Sequence, residues 1–358
     1  MITLMKSIFK INILLVSIAL LAGCSEWTTP ESIEIEKNSI EQTNPELYAK
    51  YCDALKEYKA SEHKIAYTTF LNSPEIAANG SEKISMIPDS VDFVQLMNLE
   101  VSESHLEEIA AVREKKGTRF VFRFSVNECM EAYEAYVEEI LAEAEKEAEG
   151  AEEGTEPVEP VIPEFAEYYA AEFQKVTAKV AEYGLDGFTF AFVGKNIEGM
   201  TEEQQAAYTT EHDAAFAPVK AWLSSNSSKV FFLEGNPQYV LDNEVLNAAS
   251  FYILQTRSCR STGELGLYGI NAYTSGKLPE NAKLLYAVET PSFIEEEYLV
   301  GQFVLGEQIP LAADWIAKDA SFEKSGLAIW NVQRDYFNTD GMVYPNVRKA
   351  IKTMNPNE

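Results

Sequence analysis

Two glutamates, Glu234 and Glu289, close the apolar runs KVFFLE and KLLYAVE. A carboxyl group at such a place can give a proton to a leaving oxygen, provided it comes within about 3 Å of it. It can equally accept hydrogen bonds from hydroxyl groups. Asn98, Gln255, Arg257 and Asn331 fall at or just past the ends of similar runs. Their amide and guanidinium groups suit the same hydroxyl-rich partners. Trp330 lies on the last run, GLAIWNV. Its ring offers a flat apolar face, and the indole N–H adds a polar handle. Tyr67 and Gln95 are further candidates for the same lining. Each residue also has a structural alternative: a salt bridge or loop cap for the polar ones, a core position for Trp330.

The segment 185–194 reads LDGFTFAFVG. Strand alternation sends Thr189, Ala191 and Val193 to one side. Acidic groups on that side could do acid–base chemistry, and none of the three is ionisable. A carboxylate buried beside Ala191 and Val193 would also carry a large desolvation cost.

The elements that must position these residues alternate along the chain. Short apolar runs at 64–71, 91–98, 119–126, 185–193, 229–234, 250–256, 283–289 and 326–332 predict eight strands. Amphipathic stretches between them predict helices, including 44–60, 104–115 and one around 347–354. The strands are near-continuous in apolar character, which fits a parallel sheet buried on both faces. Closed on itself, that sheet is a single-domain (β/α)8 TIM barrel over residues 46–358. An acidic stretch near 143–163, rich in Glu, Gly and Pro, predicts a solvated insertion. The alternative is an open doubly wound sheet with a second domain, but no GxGxxG or P-loop pattern follows the first strand. In a barrel, working residues sit at the C-terminal ends of the strands.

The segment 185–194 resembles the DGxDxDxE signature of glycoside hydrolase family 18, the chitinases and endo-β-N-acetylglucosaminidases. Asp186 and Gly187 match, and the three later acidic positions fall on Thr189, Ala191 and Val193. The stretches YAKYCDALKEYKASEHKIAYTTF, PDSVDFVQLMN and IWNVQRDYFN resemble the Bacteroidetes branch, which includes N-glycan-active enzymes and non-catalytic glycan-binding relatives. The resemblance implies that Val193 stands where the family keeps its proton donor. It also implies loss of the aspartate that orients the substrate's own 2-acetamido group, a substrate-assisted route. Trp330 matches the tryptophan that floors the family's sugar subsite. Two departures stand out. Ser125 is followed by Val126, Asn127 and Glu128 where the family tends to an SxGG-like pattern. The tyrosine often found after strand six has no counterpart in LQTRS.

At the N-terminus, Lys6 and Lys10 precede an apolar run over 11–21 that ends in Leu21-Ala22-Gly23-Cys24. This reads as a lipoprotein signal over 1–23 with Cys24 as the lipidated residue, the alternative being a plain secretory signal. Residues 24–45 read as a flexible acidic tether. Ser25 and Glu26 loosely resemble a surface-export tag, so the expected location is the outer membrane, at the cell surface. The formal net charge of -28 argues against nucleic acid or another polyanion as partner. Cys52, Cys129 and Cys259 are widely spaced and suit buried apolar positions. The three histidines form no HExxH pattern and no close His/Cys/Asp cluster, which makes a transition-metal site improbable, and no cofactor is expected.

The leading expectation is a non-catalytic surface lipoprotein that binds N-acetylglucosamine-containing oligosaccharides such as N-glycans, beside an endoglycosidase or an outer-membrane importer. The first alternative is a hydrolase whose acid has moved to Glu234 or Glu289. The second is a protein-binding scaffold of an envelope complex.

Overall fold

The computed structural model describes residues 40–73, 75, 77–150, 160–337 and 341–356. The expected lipidation site Cys24 and the signal segment lie outside these residues. The chain divides into two compact units, Met1–Ala49 and Lys50–Glu358. In the first, Ile40–Thr43 form a helical turn (α1) inside the segment expected to be tether. Helix α2 spans Pro45–Ala60.

The second unit is a closed barrel of parallel strands. They are β1 (Ile65–Phe70), β2 (Phe93–Leu96), β3 (Arg119–Ser125), β4 (Gly187–Phe192), β5 (Val230–Gly235), β6 (Phe251–Leu254) and β7 (Leu284–Glu289). The eighth barrel strand, β10 (Gly326–Trp330), pairs with both β7 and β1 and closes the ring. A small hairpin of β8 (Gln302–Phe303) and β9 (Gly306–Glu307) lies in the connection after β7. The expected (β/α)8 architecture is the one observed.

Alternation along β4 shows why this sequence makes a barrel wall. Phe188, Phe190 and Phe192 turn outward into the helices, where Phe188 meets Phe173 and Phe190 meets Phe216 edge-on. The intervening residues are small: Gly187, Thr189 and Ala191. A Cβ on Gly187 would collide with the carbonyl oxygen of Val230 on the neighbouring strand, so only glycine fits that close approach. Larger side chains from other strands fill the interior. Tyr67 lies edge-on to Phe232 with ring centroids 5.0 Å apart, and Phe93 packs on the same ring at 4.9 Å. Bulky aromatics thus alternate with small residues across the interior, which lets the layers interdigitate.

One element departs from the sequence expectation. Helix α4 spans Val126–Gly150, so the first part of the expected acidic insertion is helical; residues 151–159 lie outside the described ones. Past Leu141 its sequence is Glu- and Ala-rich, with high helix propensity that outweighs the missing apolar face there. That helix also begins directly at the end of β3. Ser125 Oγ accepts a hydrogen bond from the Glu128 N–H at 3.3 Å, capping the first turn. The three cysteines of the described residues are buried and unpaired.

Candidate functional site

Asp186, one of the two matched motif residues, sits at the far end of the barrel from the mouth. Its Oδ2 accepts from the Phe120 N–H at 2.8 Å and from Arg113 Nε and Nη2 at 3.1 and 2.9 Å. Arg113 lies in the last turn of α3 (Glu103–Lys116). Asp186 therefore staples a helix to two strands and takes no part in the mouth.

Thr189 and Ala191 face the interior and are sealed, at 0% and 1% exposure. The Thr189 hydroxyl is 2.9 Å from Tyr67 Oη, which donates to Gln95 Oε1 at 2.8 Å. A neutral hydrogen-bonded network fills the space beside Thr189. Burial pushes the Tyr67 hydroxyl well above the ordinary phenol range, against the opposing effect of its Thr189 bond, so it stays protonated. Val193 follows the last residue of β4. It borders an apolar groove of about 1050 Å³ between α4, α5 (Phe165–Glu182) and α6 (Glu202–Ser225), with Met130, Tyr169 and Tyr208 among its other walls.

Both carboxylates singled out in the sequence are held by arginines. Glu234, 2% exposed, takes Arg123 Nε on Oε2 at 2.6 Å and Nη2 on Oε1 at 3.0 Å. Arg123 Nη1 also reaches both oxygens of Glu128, at 2.8 and 2.7 Å. Burial by itself would lower the Arg123 pKa; the charges and hydrogen bonds of Glu234 and Glu128 outweigh it and hold the pKa above its ordinary value. Arg123 was missed in the sequence. Its signal was a charged residue in mid-strand, on the inward parity shared with Val121.

Glu289 is a hub on the other side of the mouth. Its Oε1 accepts from Asn331 Nδ2 at 2.7 Å and lies 3.3 Å from Arg334 Nη1, while Oε2 lies 3.4 Å from Arg257 Nη1. Gln308, 1% exposed, fixes this corner from behind. Its Oε1 accepts from the Glu289 N–H, and its Nε2 donates to the carbonyls of Arg257 and Cys259. Neither Arg334 nor Gln308 was identified from sequence; both come from connections remote from the strands they serve. Asn331 adopts a left-handed backbone, φ 57°, which asparagine tolerates better than most residues. That turn brings its amide to Glu289.

Trp330 is on the mouth side of the interior but is only 5% exposed. The Arg257 guanidinium lies over its ring, 5.0 Å from the centroid, and Tyr67 lies 6.4 Å away. The indole is thus a covered floor and not an open platform. Gln255 is half-buried at the end of β6 and its side chain makes no hydrogen bond among the described residues. Asn98 is a correction. Its N–H and side-chain amide both donate to Asn72, and its carbonyl accepts from Asn72 Nδ2, so it is a loop staple. Arg257, Glu289, Asn331 and Trp330 come together with Arg334; Glu234 forms a separate cluster with Arg123 and Glu128.

The family model for glycoside hydrolase family 18, BT1044-like, matches residues 28–353. The chain belongs to this family. Among solved structures, it is similar to a selenomethionine form of BT1044 bearing a glutamate-to-glutamine substitution. Identity is 17%, with 89% of this chain and 95% of that one covered and a TM-score of 0.56. It also matches a chitinase from Bacteroides thetaiotaomicron at 11% identity, covering 81% and 96% of the two chains with a TM-score of 0.47. A family 18 chitinase from Crocus vernus matches at 14% identity, covering 74% and 93%, with a TM-score of 0.43. No curated protein matches the chain. Family membership carries the expectation of an oligosaccharide ligand at the barrel mouth. Among the described residues, no group of three or more His, Cys, Asp or Glu side chains is placed to hold a metal ion.

Proposed function

We propose that this chain is a non-catalytic member of its family that binds N-acetylglucosamine-containing oligosaccharides, N-glycans among them, at the barrel mouth. The observation that carries the reading is the state of the acids. The three family positions on and after β4 hold Thr189, Ala191 and Val193. The two nearest substitutes, Glu234 and Glu289, are both paired with arginines. A general acid must bring its carboxyl within hydrogen-bond reach of the leaving oxygen, and both oxygens of each glutamate already face arginine or asparagine N–H donors. The Glu289 corner presents guanidinium and amide groups suited to hydroxyls, above the Trp330 indole that Arg257 covers.

In this reading the protein is a lipoprotein anchored through Cys24 in the outer membrane, presenting its mouth at the cell surface. It holds glycans there for an endoglycosidase or an importer. Titration calorimetry against N-glycans and chitooligosaccharides tests the binding. Saturable binding to at least one supports it; no binding to any removes it.

A second reading, a protein-binding scaffold, draws on one observation. The connection after β7 exposes Phe293, Tyr298, Val304 and Leu305, the last at 89%. Exposed apolar groups of this size are common at interaction surfaces. Loss of a co-purifying envelope partner on Leu305→Ser, together with a featureless glycan titration, favours that reading over the first.

A further inference from the structure

Two guanidiniums, those of Arg257 and Arg334, share one carboxylate, Glu289. The local charge is therefore one positive in excess. Their contacts to Glu289, at 3.4 and 3.3 Å, are longer than ordinary charge-assisted hydrogen bonds. Neither side chain makes another hydrogen bond among the described residues. An arginine carries five N–H donors in a planar fork, so most donors of this pair are unused. Both remain accessible: the side chains of Arg257 and Arg334 are 44% and 25% exposed. Asn331 and Gln308 hold the Glu289 end of the cluster from the sides.

We propose that this corner of the mouth is a carboxylate site, and that the preferred glycan carries a sugar acid. The inference rests on the glycan-binding reading above and narrows its ligand class. The carboxylate of a sialic or uronic acid takes the free edges of Arg257 and Arg334, and its ring lies toward Trp330. Arg257 already spans the two, since its guanidinium sits over that indole. The chain's net charge of -28 is no obstacle to a single carboxylate. Charges beyond about 10 Å are largely screened at 0.1 M salt, so contact with two guanidiniums decides the outcome.

Calorimetric titration with three matched ligands tests this: a galactose-terminated N-glycan, the same glycan capped with sialic acid, and the same glycan capped with glucuronic acid. At least one acidic form is expected to bind about tenfold more tightly than the neutral one, the scale of one added charge-assisted contact. In Arg257→Gln and Arg334→Gln that ratio falls below about threefold, while Arg334→Lys, which keeps the charge, retains part of it. Thermal unfolding of each variant identifies any that fails to fold, and the methyl ester of the sialylated glycan gives the same comparison on the unaltered protein. Equal affinity for all three glycans overturns the carboxylate site and leaves the glycan-binding reading standing. No binding to any overturns both.

Discussion

Glu234 and Arg123 meet across strands that are 111 residues apart in sequence, which is why a list of strand-end acids showed one partner and not the other. Their pairing turns a candidate proton donor into half of a buried salt bridge. Removing one partner leaves an uncompensated buried charge, which typically costs about 3–5 kcal/mol. Arg123→Met is expected to lose stability on that scale in denaturant unfolding. The double variant Arg123→Met/Glu234→Leu should recover most of it, because a well-packed apolar pair can replace an ion pair with little loss. Equal costs for single and double variants would show that the pair is not the unit the structure describes. The emptied motif has its own test. Ala191 is 1% exposed and pairs in register with Glu234, whose charge is already matched by Arg123, so Ala191→Asp adds a second buried carboxylate beside that pair. A destabilisation of roughly 2–4 kcal/mol is expected, again by denaturant unfolding. Sequence read the chemistry of Thr189, Ala191 and Val193 directly, because residue type was enough. It misjudged Asn98 and left Trp330 open, because whether a side chain is free or covered depends on Asn72 and Arg257.

The strands themselves were legible because parallel strands buried on both faces leave continuous apolar runs, and each of the eight was recovered within a few residues. Helix α4 was cut short, since its second half has no apolar face to mark it. Two predictions belong at this scale. Gly187→Ala forces a methyl against the Val230 carbonyl in the adjoining strand. It should destabilise the barrel by about 1–3 kcal/mol, the usual cost of overpacking a close contact. The second concerns the short helix Val332–Asp335 after β10. Burial raises the carboxyl of Asp335 to about 6, although the Val347 N–H bond at 2.9 Å opposes the shift. The folded state therefore binds more protons than the unfolded state between the ordinary aspartate value, about 4, and about 6. This group's stabilising contribution is present below that window and is lost as pH rises through it. Asp335→Asn should flatten the fall in stability over that range and raise stability at pH 7 by on the order of 1–2 kcal/mol. A pH series of unfolding curves reads the difference.

At the scale of the whole molecule, the barrel, its closed strand order and its family were all visible in the pattern of runs and in LDGFTFAFVG. The two arginine–glutamate clusters that define the mouth were not, because they assemble from β3, β5, β7 and the connections after β6 and β10. The anchor belongs to this scale too. If Cys24 carries the lipid, Cys24→Ser moves the protein from the membrane fraction to the soluble fraction, since the acyl chains supply the membrane affinity. The central claim is that the mouth binds glycan without cleaving it. Its most direct test is one mixture: purified protein with an N-glycan-bearing glycopeptide, followed by calorimetry for binding and by mass spectrometry for released glycan over a long incubation. Saturable binding with the glycopeptide recovered intact is the predicted result. Glycan release that disappears in Glu234→Gln would contradict it.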